Sequence, residues 1–156
     1  MGENREVVEA LIHYCNIYAA AYKPELMEYQ GVSYSYAQIQ VLEYVLETED
    51  AGMHMSAIAS RLGISRSNFT KIVNKLVDKG LLEKQQMPGN RKNLQLSATD
   101  FGRELYSHYA ENILKWHFQP MFNELKGLSA TDKKHLRDAL YAAMADSSYR
   151  TTHIDT

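Results

Sequence analysis

The stretch MSAIASRLGISRSNFTKIVNKLVDKG, from Met55 to Gly80, decides the fold of this chain. It predicts a short helix, a tight turn and a longer helix. Gly63 stands where the first helix must end, because glycine takes the left-handed C-cap conformation without strain. Ser65 is a good N-cap for the second helix. The apolar residues of that helix recur at spacings of three and four: Phe69, Ile72, Val73, Leu76 and Val77. The pattern is that of a helix-turn-helix.

The opposite face of the second helix, over residues 66–79, is polar and has no acidic residue before Asp78. A major groove admits one helix, where arginine forks onto guanine, asparagine onto adenine, and lysine or a hydroxyl holds phosphate. A solvated face of an ordinary helical pair is the alternative. The turn glycine, the cap and the acid-free face together favour DNA. The candidate DNA-binding residues here are Ser65, Arg66, Ser67, Asn68, Thr70, Lys71, Asn74 and Lys75.

Two short extended runs follow, LLEKQQ and NLQLS, within residues 81–97. The turn-forming segment MPGNRK separates them, which predicts a β-hairpin with Arg91 and Lys92 near its tip. A helix-turn-helix followed by a basic hairpin is a winged helix. Arg91 and Lys92 are therefore further candidates for contact with phosphate or a minor groove.

The distribution of charge supports the same interpretation. The 156 residues carry a net charge of −2. Residues 61–92 nevertheless hold eight Lys and Arg against Asp78 and Glu83, which gives this segment +6 and the rest of the chain −8. A positive face on an otherwise acidic protein is the footprint of nucleic-acid binding.

Composition excludes several classes of protein. At 45% apolar and 23% charged residues, the sequence predicts one compact domain over residues 1–156. It contains no membrane-spanning run and no signal peptide, and its one cysteine cannot close an internal disulfide, so we expect a cytoplasmic location. Since there is no phosphate loop, nucleophile elbow or paired-carboxylate constellation, we expect neither an enzyme nor a cofactor.

The rest of the chain is predicted to be helical. A wide apolar stripe predicts a helix from about Glu3 to Glu28 with more apolar surface than a small winged helix can cover. Ser35 with Gln38 fits a capping box for the next helix, and Ser129 with Asp132 one for the last. The fold class is thus mainly α with a β-hairpin wing. A winged helix-turn-helix is expected at 35–99, between helical segments at 1–30 and 100–150, and the apolar stripe of the first segment suggests a partner helix.

The sequence resembles the multiple antibiotic resistance regulator (MarR) family over nearly its whole length. The segments that carry the resemblance are SYAQIQVLEYV, residues 35–45, and LGISRSNFTKIVNKLVDKGLLEK, residues 62–84. It implies a homodimer in which the first and last helices, within residues 1–30 and 100–150, interlock as dimerisation helices, and the two recognition helices bind a pseudo-palindromic duplex. Most members repress transcription, and many release DNA when a small, often phenolic, effector binds or a cysteine is oxidised. In the wing, Asn90 and Lys92 replace the family's usual Asp and Arg, with Arg91 between them.

Two possible sensing sites follow from that resemblance. Family effectors bind between the first two helices and the winged helix, where Tyr14, Tyr18, Tyr34 and Tyr36 are candidates to line a pocket for an aromatic ligand. The alternative is that these tyrosines belong to the core and the dimer interface. Cys15 is a candidate redox sensor, although its place on the apolar stripe also fits a small core residue. The six histidines form no metal-binding motif, and no metal is expected. A winged-helix protein-interaction module remains the alternative to a DNA-binding regulator.

Overall fold

A computed structural model of the chain describes residues 2–49, 55–87 and 90–145, with only the backbone described for residues 86, 87, 90–94, 116, 117 and 145. The chain forms two compact units, residues 1–110 and 111–156, which are described separately. The elements of the first unit are α1 (Arg5–Tyr22), β1 (Met27–Tyr29), β2 (Val32–Tyr34), α2 (Tyr36–Thr48), α3 (Met55–Arg61), α4 (Arg66–Asp78), β3 (Leu82–Met87), β4 (Asn90–Ala98) and α5 (Asp100–Tyr109). The single-domain organisation expected from the sequence stays a prediction.

The predicted helix-turn-helix consists of α3 and α4. Gly63 has φ +66°, the left-handed conformation that ends α3. The hydroxyl of Ser65 accepts a hydrogen bond of 3.2 Å from the backbone amide of Asn68, so Ser65 caps α4. Phe69, Val73 and Leu76 on the inner face of α4 are at most 1% exposed. Local sequence signals therefore define both ends of the turn.

The core of the first unit lies around α2. The capping box predicted at its start is present, since the Ser35 hydroxyl and the Gln38 side chain each accept the other's backbone amide, at 3.3 and 3.0 Å. Val41 and Leu42 are fully buried, and burial of each such side chain contributes about 1.5–3 kcal/mol. The other apolar core residues include Tyr34, Ile39, Val45, Ile58, Leu81, Leu82, Leu96 and Leu105.

The wing is the antiparallel pair of β3 and β4, as predicted. It leads into α5 through Thr99, whose hydroxyl accepts the Gly102 amide at 2.9 Å and donates to the Gly80 carbonyl at 2.6 Å. An added Cβ at Gly102 would lie 2.1 Å from the Leu81 carbonyl oxygen. Only glycine therefore lets α5 pack this closely against the chain that leaves α4.

A second hairpin corrects the helix predicted for residues 3–28, which ends at Tyr22, just before Lys23 and Pro24. The following residues instead form β1 and β2, joined by a two-residue turn in which Gln30 (φ +48°) and Gly31 (φ +81°) are both left-handed. Residues 23–30 are thus not part of the first helix.

The second unit contains a π-helical segment at its start (Ala110–Leu114), then α6 (Lys115–Lys126) and α7 (Ala130–Ala145). These elements are helical, as the sequence predicts for residues 100–150, and α6 runs through Pro120 without a break. Ser129 and Asp132 form the predicted cap, the Ser129 hydroxyl accepting the Asp132 amide at 3.1 Å. Residues 146–150 of the proposed dimerisation segment lie outside the described residues.

Candidate nucleic-acid interface

The outer face of α4 carries a continuous polar surface, which we call the recognition face. Its residues are all exposed: Ser65, Arg66, Ser67, Asn68, Thr70, Lys71, Asn74 and Lys75. The inner face of the same helix is buried in the core of the winged helix. A single helix therefore presents its polar side outward from a rigid support, as insertion into a groove requires.

Local hydrogen bonds already hold some of these side chains. The Thr70 hydroxyl donates to the Arg66 carbonyl at 2.9 Å within the helix. The Asn74 side-chain oxygen accepts a hydrogen bond of 2.6 Å from the ammonium group of Lys84 on β3. This bond ties the recognition helix to the first strand of the wing.

Two of the cations counted in the basic segment serve the fold instead. Arg61 lies 3.0 Å from the Glu47 carboxylate and stacks over the Tyr44 ring at 4.3 Å from its centroid. Lys79 lies 2.8 Å from the Glu25 carboxylate and also donates to the Ser33 carbonyl. These contacts join residues far apart in sequence, so composition alone could not separate structural cations from candidate DNA contacts.

The wing contributes less to the described interface than the helix does. Lys84 is exposed on β3 and bound to Asn74. Arg91 and Lys92 fall on β4, within the wing, but their side chains lie outside the described residues. Their contact with DNA stays a prediction.

An open cleft of about 570 Å³ lies between α1, α2 and the corner of the helix-turn-helix, and we call it the aromatic cleft. Its lining comprises Tyr14, Cys15, Tyr18, Ala19, Tyr22, Lys23, Gln40, Leu62 and Ile64. Of the four tyrosines predicted to form a pocket, Tyr14 and Tyr18 line it. The ring of Tyr36 lies 6.1 Å from that of Tyr18. Tyr34 is fully buried, edge-on to Tyr109, and does not line the cleft.

The tyrosines of the aromatic cleft are neutral hydrogen-bonding groups at physiological pH. Burial, together with the neighbouring phenols of Tyr22 and Tyr14, raises the pKa of Tyr18 to about 12. Burial likewise raises the pKa of Tyr14 and of Tyr22. The Gln40 amide donates to the Tyr18 hydroxyl. The cleft thus combines stacked aromatic rings with phenol and amide groups, a suitable lining for a planar aromatic ligand.

Cys15 lies on the wall of this cleft and is exposed. The sequence interpretation as a buried core residue was therefore wrong for the chain described here. The reason is that no residue of α1 is buried, so its apolar stripe is left largely uncovered.

A second, smaller cleft of about 220 Å³ runs along one flank of α4, and we call it the flank cleft. It is lined by Tyr22, Lys23, Ala37, Gln38, Asn68, Lys71, Ile72 and Lys75. Sequence analysis did not identify Lys23 as a candidate site residue, because it assigned this segment to a helix that ran on to about Glu28. Tyr22 and Lys23 line both clefts.

Within residues 2–49, 55–87 and 90–145, no three His, Cys, Asp or Glu side chains come together as metal ligands. His108, on α5, packs against the Tyr29 ring at 4.5 Å. None of the helices in this part of the chain combines the length and the apolar character needed to cross a bilayer.

Comparison with known proteins agrees with this architecture. The model of the MarR family matches residues 30–92, from the turn of the first hairpin to the wing. No curated protein sequence matches the chain. The family match therefore rests on the segment that contains α2, the helix-turn-helix and most of the wing.

Solved structures share the fold over most of the chain. The transcriptional regulator SlyA aligns with TM-score 0.63 and 21% identity, covering 96% of each chain. PcaV of Streptomyces coelicolor, in complex with its natural ligand, aligns with TM-score 0.58 and 19% identity over 95% of this chain and 94% of its own. MepR of S. aureus, in complex with DNA, aligns with TM-score 0.60 and 16% identity over 72% and 80%. The winged-helix fold and the resemblance to the MarR family are thereby confirmed.

Proposed function

Because residues 30–92 match the MarR family and the chain shares the fold of its transcriptional regulators, we propose that this protein is a DNA-binding transcriptional regulator. It acts as a homodimeric repressor on a pseudo-palindromic duplex operator. The recognition helix, residues 66–79, enters the major groove, and the wing, residues 81–97, lies beside it. The protein catalyses no reaction.

The recognition face is the observation that carries this proposal. Arg66 and Lys71 are exposed, and neither is held in an ion pair among the described residues. Among the nearby cations, Arg61 pairs with Glu47 and Lys79 with Glu25, and Lys75 lies 3.9 Å from Glu25. Contacts with base edges and phosphates require exposed hydrogen-bond donors on a face without acidic side chains.

The homodimer is supported by apolar side chains that each terminal helix leaves exposed. On α1, Val7 is 67% exposed and Ile12 52%. On α7, Tyr141 is 63% exposed and Met144 55%. Large apolar side chains that recur along a helix in water indicate a partner surface, and an isologous contact between two copies would cover them.

The aromatic cleft is the proposed effector site. Tyr14 and Tyr18 provide stacking surfaces and hydroxyl groups for a small aromatic ligand, and Tyr36 packs beside Tyr18. Leu62 and Ile64, at the corner of the helix-turn-helix, form another wall. A ligand in this cleft would therefore contact the turn that positions α4, and could bias it between DNA-binding and released arrangements.

Cys15 offers an alternative trigger at the same cleft. It is exposed there, and oxidation would place a bulky polar group among the tyrosines. Peroxide that releases DNA from the native protein but not from Cys15→Ser would identify Cys15 as a sensor. Equal responses of the two proteins would exclude that role.

The decisive experiment is fluorescence anisotropy of the purified protein with a duplex from its own upstream region and a scrambled duplex, over a range of salt. We expect tight, sequence-selective binding that weakens steeply as salt increases. Absence of any salt-dependent binding to either duplex would contradict the proposal and favour a protein-interaction module. The same assay with candidate aromatic compounds tests the effector site.

A further inference from the structure

The flank cleft gathers three lysines from two separate parts of the chain. Lys71 and Lys75 project from α4, one turn apart, and Lys23 comes from the segment that follows α1. Asn68, a member of the recognition face, lines the same concavity. Three lysines around one small cleft concentrate positive charge there, and a bound anion would offset that charge.

One carboxylate, that of Glu25, approaches Lys75 but does not cancel this charge. Glu25 lies 2.8 Å from Lys79 and accepts a hydrogen bond of 2.9 Å from the Gln38 amide. It is 3.9 Å from Lys75, at the limit of an ion pair. Since Lys79 neutralises Glu25, the cleft retains the charge of Lys23, Lys71 and Lys75.

The position of the cleft identifies the anion. Asn68 and Lys71 link the cleft to the recognition face, so the cleft runs beside the helix that would enter the major groove. The phosphates of a DNA strand line the edge of that groove and pass along the flank of an inserted helix. We propose that the flank cleft binds a backbone phosphate of the operator, and that Lys23 is a phosphate ligand together with Lys71 and Lys75.

This inference rests on the proposed DNA-binding function and adds a contact from outside the winged helix. Lys23 directly follows α1, the helix that carries the exposed apolar stripe. It also lines the aromatic cleft. One exposed side chain therefore connects the dimerisation helix and the proposed effector site with the DNA backbone.

The test compares Lys23→Gln with the native protein in the salt-dependent anisotropy assay. Each phosphate contact contributes about −0.9 to the slope of log Kobs against log salt concentration on B-DNA. Since a homodimer carries two copies of Lys23, we expect the slope of Lys23→Gln to be shallower by about 1.8. At 0.1 M salt the Kd should rise at least about tenfold, equally on operator and scrambled duplexes.

Two further variants separate a phosphate contact from a general charge effect. Lys23→Arg keeps the positive charge and should retain the native slope. Arg5→Gln removes the same charge at the other end of α1, roughly 26 Å away at 1.5 Å per residue. This variant should also retain the native slope. An unchanged melting temperature for Lys23→Gln will show that the fold is intact, because Lys23 is exposed.

The outcomes are distinct. If the native protein shows salt-dependent binding and Lys23→Gln has the same slope, the phosphate site is refuted while the proposed function stands. The inference also fails if Arg5→Gln makes the salt slope as shallow as Lys23→Gln does. It fails likewise if Lys23→Gln weakens binding to the operator but not to the scrambled duplex. If the native protein binds no duplex, the proposed function itself fails.

Discussion

The carboxylate of Glu25 lies 2.8 Å from the ammonium group of Lys79, and this ion pair joins the segment after α1 to the C-terminal end of the recognition helix. A second carboxylate has a similar role at the base of the wing. Glu49, just after α2, accepts the Ala98 amide at 3.1 Å and pairs with Arg103 on α5. One carboxylate thus ties down each of the recognition helix and the wing, with the side chain of Glu25 33% exposed and that of Glu49 13% exposed.

These two carboxylates predict loss of stability in acid. The hydrogen bond from Lys79 lowers the pKa of Glu25 below its ordinary 4.5, and the hydrogen bond from Arg103 does the same for the pKa of Glu49. A carboxyl group with a depressed pKa in the folded state stabilises the protein above about pH 4.5, and that stabilisation is lost as pH falls through the folded-state pKa. The free energy of unfolding should therefore decrease from pH 5 to pH 3.

Glu49→Gln provides the check. At pH 7 it should lower the free energy of unfolding by about 1.5–3 kcal/mol, the usual size of a hydrogen bond to a charged group. The difference from the native protein should shrink as pH falls to 3, because the native carboxylate becomes protonated. Urea unfolding at both pH values measures this, and a difference that does not depend on pH would refute the assignment.

Substitutions on the recognition face should weaken operator binding without unfolding the protein. Arg66→Ala, Asn68→Ala and Lys71→Ala each remove an exposed side chain. As base contacts, Arg66 and Asn68 should each cost about 1–3 kcal/mol when removed, which is roughly 5- to 150-fold in Kd. Lys71→Ala should weaken binding to all duplexes, because Lys71 is proposed as a phosphate ligand. Ser107→Ala, also exposed but on α5, is the control. Native affinity in all three variants would move the DNA-binding surface elsewhere.

A charge on the stripe of α1 should separate the dimer. Ile12 is 52% exposed in the single chain, so Ile12→Asp costs the folded chain little, whereas it would bury a charge in the proposed interface. Light scattering should then give a mass near 17.9 kDa instead of twice that value. His13→Asp introduces the same charge on the other side of the helix and should remain dimeric. A dimeric Ile12→Asp would contradict the interface.

Gly102→Ala should destabilise the junction of wing and α5. Its Cβ would lie 2.1 Å from the Leu81 carbonyl oxygen, which forces a backbone shift. The expected loss in the free energy of unfolding is about 2 kcal/mol or more. Gly127→Ala is the matched control, since its Cβ would lie 3.5 Å from its nearest neighbour at an ordinary helical φ of −72°. Equal stability of the two variants would refute the close packing.

Local patterns were sufficient to predict the helix-turn-helix and its caps. Ser35 with Gln38, Ser65 and Ser129 with Asp132 each act within one helical turn, so their neighbours in sequence determine their contacts. The recognition face could also be predicted, because the period of a single helix determines which residues share a side.

Contacts between distant residues could not be predicted in this way. The first hairpin depends on the Tyr29 hydroxyl, which donates to Glu104 on α5 at 3.1 Å, 75 residues away. In the sequence, the turn-forming pair Gln30-Gly31 beside Tyr29, Val32 and Tyr34 indicated this hairpin. The apolar stripe of α1 favoured a continuous helix instead, and the prediction followed the stripe. The pairing of Lys79 with Glu25 and the position of Lys23 beside Lys71 depend on the same tertiary arrangement.

The hydrogen bond between Lys84 and Asn74 also restricts what the recognition helix can read. Lys84 uses one of the two lone pairs of the Asn74 side-chain oxygen, which fixes the orientation of that amide and leaves its N–H groups to donate to DNA. We expect an amide held in this way to favour acceptor atoms such as guanine O6 and N7 or thymine O4 over adenine, which must receive and supply a hydrogen bond together. A preference for adenine in the operator would then come from Asn68, and breaking the link to the wing should weaken the base preference of Asn74.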